Sequence, residues 1–245
     1  MKSKLLLFSI AIILLSLTQS CRLQFGTLQF DAKQADMLSS DELVTFIRNH
    51  PKPTIVVRTK ETNDSIIAKT NAYYNYLMEK ELVKSGFKVK DAELFSKTAE
   101  KANVEDYKRL NVITGVDLIL ELVRIKKDVP YTTEIFYTKN NEKRELNNYQ
   151  ISRNGAIIEF KLVLVGNNKA EGLYTFYYTP CSSKSNNGDC GCILGYKNGL
   201  NKIYPEKNWC RKRINPELQS MDESLMEDFF TESVQNIIFD IKGVE

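Results

Sequence analysis

The sequence predicts an α/β fold: a three-layer-type βαβαβ unit extended by antiparallel hairpins. A C-terminal helix packs on the sheet, and disulfides staple a cysteine-rich insertion. Three observations predict it. Between residues 54 and 123, short β-branched runs alternate with segments of helical spacing. From 130 to 179, strand-like runs come in pairs around turn residues. The last helix-spaced segment carries a continuous apolar stripe, as a helix docked on a sheet requires.

Met1-Lys2-Ser3-Lys4 opens the chain, followed by an apolar run from Leu5 to Leu17 broken only by Ser9 and Ser16, then Thr18-Gln19-Ser20-Cys21. Basic start, apolar centre and small residue form a secretory signal. The run is far shorter than the roughly 20 residues a membrane span needs, and cleavage near Ser20 as an ordinary signal peptide stays open. With its cysteine at Cys21 the segment resembles the lipobox of bacterial lipoproteins, with Thr18 where that pattern usually has Leu. The resemblance implies a signal peptide over 1–20, cleavage before Cys21, a diacylglycerol on its thiol and an acyl chain such as palmitate on its new amino group. Arg22 follows in place of Asp, which by the same resemblance favours an outer-membrane lipoprotein facing the periplasm.

Residues 21–38 show no clear period and read as a tether, leaving 39–245 as a single α/β domain with a cysteine-rich insertion at 180–215. Ser39 and Glu42 form a capping box for a short helix through Leu43, Phe46 and Ile47, ended by Pro51-Lys52-Pro53. Thr54-Ile55-Val56-Val57-Arg58 suits a buried strand. A long helix follows, its stripe drawn through Ile66, Tyr73, Leu77 and Met78, then Glu81 with Leu82 and Val83, with Gly86 as C-cap. Phe87 to Lys90 reads as a second strand, 93–112 as one or two helices, and Asp117 to Val123 as a third strand after Gly115. Strand–helix alternation of this kind belongs to parallel neighbours, whose crossovers are long enough to hold a helix.

Thr132–Lys139 and Lys143–Tyr149 flank Asn140-Asn141 as a hairpin, and Ile157–Val165 and Leu173–Thr179 flank Gly166-Asn167-Asn168 as a second. Ile158, Phe160, Leu162 and Leu164 alternate with a mixed set, so one face is expected to cover helices. Lys143–Tyr149 is polar on both faces, which favours a globular sheet over barrel-spanning strands. Ser220 and Glu223 form a second capping box, opening the helix of Leu225, Phe229, Phe230, Val234, Ile237, Ile238 and Ile241.

Beyond Cys21 the cysteines are Cys181, Cys190, Cys192 and Cys210. In an oxidising compartment an even set suggests two disulfides. Cys190 and Cys192 are separated by one residue and make poor partners, so Cys181 and Cys210 are each expected to pair with one of them. A four-thiolate zinc site would prefer closer ligand pairs. The formal charge of +3 falls by two when Lys2 and Lys4 leave with the signal, which excludes a global attraction to nucleic acid or to acidic lipid.

The strand near Ile55, the helix ending at Gly86, "FKVKDAELF" and "TGVDLILELV" resemble the periplasmic domain of the curli-secretion lipoprotein family. They are also similar to the penicillin-binding-protein activator lipoproteins, whose domain resembles the amino-terminal domain of TolB. Gly115-Val116-Asp117 stands where that family has a Gly-Ala-Asp-type turn, and the four-cysteine insertion departs from it. The resemblance implies a lipid-anchored envelope protein that binds or assembles with another envelope protein in secretion or envelope biogenesis. A subunit of an oligomeric outer-membrane secretion channel is the alternative.

No catalytic, cofactor or metal residues are expected. The only histidine, His50, ends a helix, where an imidazole interacts favourably with the dipole. Without a second histidine no zinc hydrolase or second triad can be built. The glycines of "RNGAI" and "NNGDCGCILG" lack phosphate-loop spacing. Asp222-Glu223 and Glu227-Asp228 read as the solvated face of the last helix.

Overall fold

The computed structural model describes residues 26–28, 30–59, 64–101, 107–138, 140, 142–146, 150–167, 169–180, 202–203 and 221–242. The signal, Cys21, Cys181, Cys190, Cys192, Cys210 and Ser220 lie outside the described residues. In chain order the elements are β1 (Gly26–Thr27), β2 (Phe30–Ser39), α1 (Asp41–Asn49), β3 (Thr54–Thr59), α2 (Ser65–Lys84) and β4 (Lys88–Lys90). Then follow α3 (Ala92–Lys101), α4 (Tyr107–Thr114), β5 (Leu118–Thr133), β6 (Ile135–Tyr137) and β7 (Lys143–Glu145). The chain continues through β8 (Ile151–Leu164), β9 (Lys169–Pro180), β10 (Lys202–Ile203) and α5 (Glu223–Lys242).

The layered α/β arrangement is present. One six-stranded mixed sheet runs β2-β9-β8-β5-β3-β4. β3 pairs in parallel with both β4 and β5, the trio expected from strand–helix alternation. The rest of the sheet is antiparallel. A small second sheet runs β10-β1-β6-β7. On one face of the large sheet, Leu43 and Ile47 of α1, Leu77, Met78 and Leu82 of α2 and the α5 stripe bury Ile158, Phe160, Leu162 and Leu164. On the other face Phe95 of α3 and Leu110 of α4 cover Val56, Ile119, Val163 and Val165. The last helix docks as its stripe predicts, with Phe230 tilted against Phe160 at 5.5 Å between ring centres.

Four expectations are corrected. The tether gives way to the paired strand β1 at Gly26–Thr27 and from Phe30 to strand β2, which pairs with β9 from Phe30↔Pro180 to Ser39↔Gly172, and Phe30 stacks on Tyr178 at 5.1 Å. Its pairing depends on a partner far along the chain, which no local period reveals. The third strand does not stop at Val123. β5 runs sixteen residues and pairs with β8 from Leu118↔Leu164 to Thr133↔Ile151, with bulges after Leu122 and Lys127. Each bulge swaps which residues face the core and so erases the alternation. β3 pairs only as far as Leu122, leaving β5 an edge strand beyond it, where Pro130 deprives the sheet of no partner.

Both capping boxes shift. Ser40, not Ser39, caps α1, its hydroxyl accepting from the Leu43 N–H at 3.1 Å. At α5 the Asp222 carboxylate accepts from the Ser224 N–H at 2.9 Å, and the helix starts at Glu223. Finally, the expected stripe of α2 holds only in part: Leu77, Met78, Glu81 and Leu82 are buried, but Ile66, Tyr73 and Val83 face solvent.

Candidate binding surface

The residues singled out for chemistry take structural posts. His50 closes α1, its Nδ1 3.0 Å from the Phe46 carbonyl and its ring stacked on Phe46 at 4.2 Å. The Gly115-Val116-Asp117 turn fastens two parallel strands. Gly115 takes φ +61, a left-handed value that favours glycine. Asp117 accepts from the Thr54 N–H at 2.8 Å, while the Asn111 amide donates to the Val116 carbonyl at 2.8 Å. Among the described residues no group of three His, Cys, Asp or Glu side chains could hold a metal, and no helix is long and apolar enough to cross a membrane. Glu227 makes a bond across to α2, and Asp222 is the cap described above.

The feature that sequence reasoning missed is the outer face of α2. Asp64 caps the helix, accepting from the Ile66 and Ile67 N–H groups at 2.8 and 3.2 Å. At the other end Gly86 takes φ +84 and the Phe87 N–H donates to the Leu82 carbonyl, a left-handed C-cap. Only the C-terminal half is docked. Tyr74 packs on Phe230 with ring centres 4.5 Å apart, and Leu77, Met78, Glu81 and Leu82 sink beneath it. The segment Asp64 to Thr70 is exposed throughout.

Opposite the docked side, Ile66, Lys69, Tyr73, Tyr76, Lys80 and Val83 follow one another at alternating spacings of three and four. That is the repeat by which one helix presents a seam to another. Ile66 is 76 % exposed, Tyr73 44 %, Tyr76 57 % and Val83 59 %. A single exposed apolar side chain is ordinary; here four of them align along one side of a single helix. Lys80 Nζ stands 6.0 Å over the Tyr76 ring. The Tyr73 phenol hydrogen-bonds Glu227 of α5, and that bond, reinforced by burial and by the carboxylate charge, pushes its pKa up to about 12. The seam is therefore basic and aromatic, and Tyr73 is tied in place and neutral below the alkaline range.

Behind the seam lies a buried polar joint. Glu81 accepts from the Gln235 amide at 2.9 Å and from Lys84 Nζ at 2.6 Å. Burial pushes its carboxyl up, but the bonds from Gln235 and Lys84 outweigh burial and hold it below the ordinary value. The open part of the large sheet differs in character. Arg58 and Glu121 pair at 2.9 Å and Arg124 pairs with Glu159, so charge pairs occupy that face. The channel-type alternative looked to the hairpins. The apolar face of β8 and β9 is buried under α1, α2 and α5, and β6 and β7 have three residues each.

No family model and no curated protein matches the chain. Among solved structures, the PelC dodecamer from Paraburkholderia phytofirmans is 13 % identical, with a TM-score of 0.27, over 62 % of this chain and 81 % of that one. Lipoprotein GNA1162 from Neisseria meningitidis is 18 % identical, with a TM-score of 0.27, over 57 % of this chain and 88 % of that one. Likeness at that TM-score carries no weight for shared activity, partners or assembly.

Proposed function

We propose that this chain is a lipid-anchored cell-envelope protein, held through Cys21, that acts without enzymatic chemistry as a binding or assembly factor. The observation that supports the reading is the α2 seam: Ile66, Tyr73, Tyr76 and Val83 exposed in a row with Lys69 and Lys80 between them. The seam fits a helix carrying apolar residues at matching spacing and carboxylates beside them, since apolar anchors supply affinity and charge supplies register. An outer-membrane position and a partner in secretion or envelope biogenesis belong to the same reading. The adaptor is preferred over the channel subunit because the long hairpin spends its apolar face on helices.

The anchor is tested by Cys21→Ser, which should abolish acylation and leave the precursor uncleaved; normal processing would overturn it. The seam is tested with a photo-cross-linking residue at Tyr76 in intact cells. A discrete adduct that Ile66→Lys abolishes is expected, with none from the same residue at exposed Lys97. Equal adducts from both positions would reject the seam as the binding face. In detergent, an adaptor should run as a monomer or dimer, whereas a uniform large oligomer would restore the channel reading.

A further inference from the structure

We infer that the α2 seam refuses a second copy of this chain and takes a helix of another protein that sets carboxylates against Lys69 and Lys80. The inference rests on the reading of α2 as the binding face, and it adds which helix fits. Ile66, Lys69, Tyr73, Tyr76, Lys80 and Val83 are placed symmetrically about the point between Tyr74 and Asn75. Read from either end, the row runs apolar, lysine, tyrosine, tyrosine, lysine, apolar. At about 1.5 Å per residue it covers roughly 26 Å of helix, with the two lysines roughly 17 Å apart. The apolar part of such a row is self-complementary, as a twofold contact between identical helices requires. Laid antiparallel, Ile66 meets the second copy's Val83, and Tyr73 meets its Tyr76.

Charge decides against that pairing. The same register sets Lys69 against the second copy's Lys80, twice over, and a parallel register sets each lysine against its own copy. Sliding by one heptad parts the lysines but strands the apolar residues at the ends, which shortens the contact. Like charges facing each other across an interface reject the wrong partner. The chain's own carboxylates give no relief. Glu81 accepts from Lys84 and Gln235, Glu227 is bound to Tyr73, and Glu79 is half-buried beside Asp91, where burial first and that charge second push its carboxyl up. Lys69 and Lys80 are both exposed, and among the described residues no ion pair involves either. Lys80 is held over Tyr76, so its charge stands beside the apolar row. The helix that fits therefore runs apolar, acidic three residues on, apolar four on, apolar three on, acidic four on and apolar three on, about five helical turns.

The test uses a charge-reversed copy of the full chain, Lys69→Glu combined with Lys80→Glu, as the probe. Both positions face solvent, so its circular dichroism should match that of the unaltered chain. By sedimentation in detergent each chain alone should be a monomer. Their mixture should dimerise at least tenfold more tightly than either alone, and more so at low salt. Equally tight association of the unaltered chain with itself would overturn the refusal of a second copy. No association in the mixture would overturn the match of carboxylates to the two lysines. In intact cells, the photo-cross-link from Tyr76 should fall at least tenfold with the double reversal and survive Lys69→Arg combined with Lys80→Arg. An adduct that ignores the reversal would overturn the acidic partner and leave the binding face standing. Absence of any adduct from Tyr76 in the unaltered chain would overturn that face, and this inference with it.

Discussion

Single residues carry the fold's least tolerant positions. Gly155 sits in β8 where a Cβ would lie 2.0 Å from the Tyr178 carbonyl oxygen and 2.9 Å from the Tyr131 ring. The near atom is backbone of a paired strand, so relief requires moving the sheet. Gly155→Ala should cost about 3 kcal/mol or more, the upper range for overpacking, read as a lowered denaturant midpoint. Glu81 makes the second case. Its folded carboxyl is held below the ordinary value, so it binds protons more weakly folded than unfolded. The stability it contributes is present above the unfolded carboxylate value, near 4.5, and is lost as pH falls through the lower folded value. Glu81→Gln should therefore cost about 1.5–3 kcal/mol at neutral pH, the scale of a hydrogen bond to a charged group, and much less in acid. Urea unfolding at both pH values checks it. A difference that does not shrink in acid would show that shape, not charge, holds the joint.

At the scale of elements, α1 begins directly after the serine that caps it. Ser40 satisfies the Leu43 N–H, so Ser40→Ala should cost about 1 kcal/mol, whereas Ser39→Ala should fall within experimental scatter. Equal losses at the two serines would contradict the cap. Among strands, β5 is governed by its bulges. Asp128 takes φ +61 beside the second bulge, and its carboxylate accepts from the Met221 N–H at 2.6 Å, joining β5 to the chain entering α5. An aspartate tolerates the left-handed region better than most side chains. The strand's bend and the seating of the last helix are thus set by one residue that no period singles out.

At the scale of the whole molecule, the core and the insertion are separate matters. The core is built from residues such as Phe160, Tyr174, Phe229 and Phe230, none of them within the cysteine-rich stretch 180–215. Two disulfides among Cys181, Cys190, Cys192 and Cys210 would contribute roughly 2–4 kcal/mol each by restricting the unfolded chain. Protein taken from an oxidising compartment should resist alkylation at all four until reduced, and α5 should stay docked after reduction, read by retained helical circular dichroism. Four alkylated thiols before reduction would refute the bridges. A stoichiometric metal lost to chelator would replace them with zinc.

Local pattern alone determined the parallel trio, the two hairpin turns, the Gly86 C-cap and the docked stripe of α5. In each, the decisive information lies within one turn or one alternation of the residue concerned. The charge balance is equally readable, because composition expresses it directly. Only the tertiary structure decided that β5 continues past Val123, that Phe30–Ser39 joins the sheet and that Leu77, Met78 and Leu82 are buried while Ile66, Tyr73 and Val83 are not. Periodicity says which residues share a face; whether that face is covered depends on what packs against it. β2 is completed by a partner more than a hundred residues away, and α2 extends past the body that buries its second half. The sequence of α2 holds two apolar rows, and burial of Leu77, Met78 and Leu82 against α5 and the sheet is what left the other row facing water.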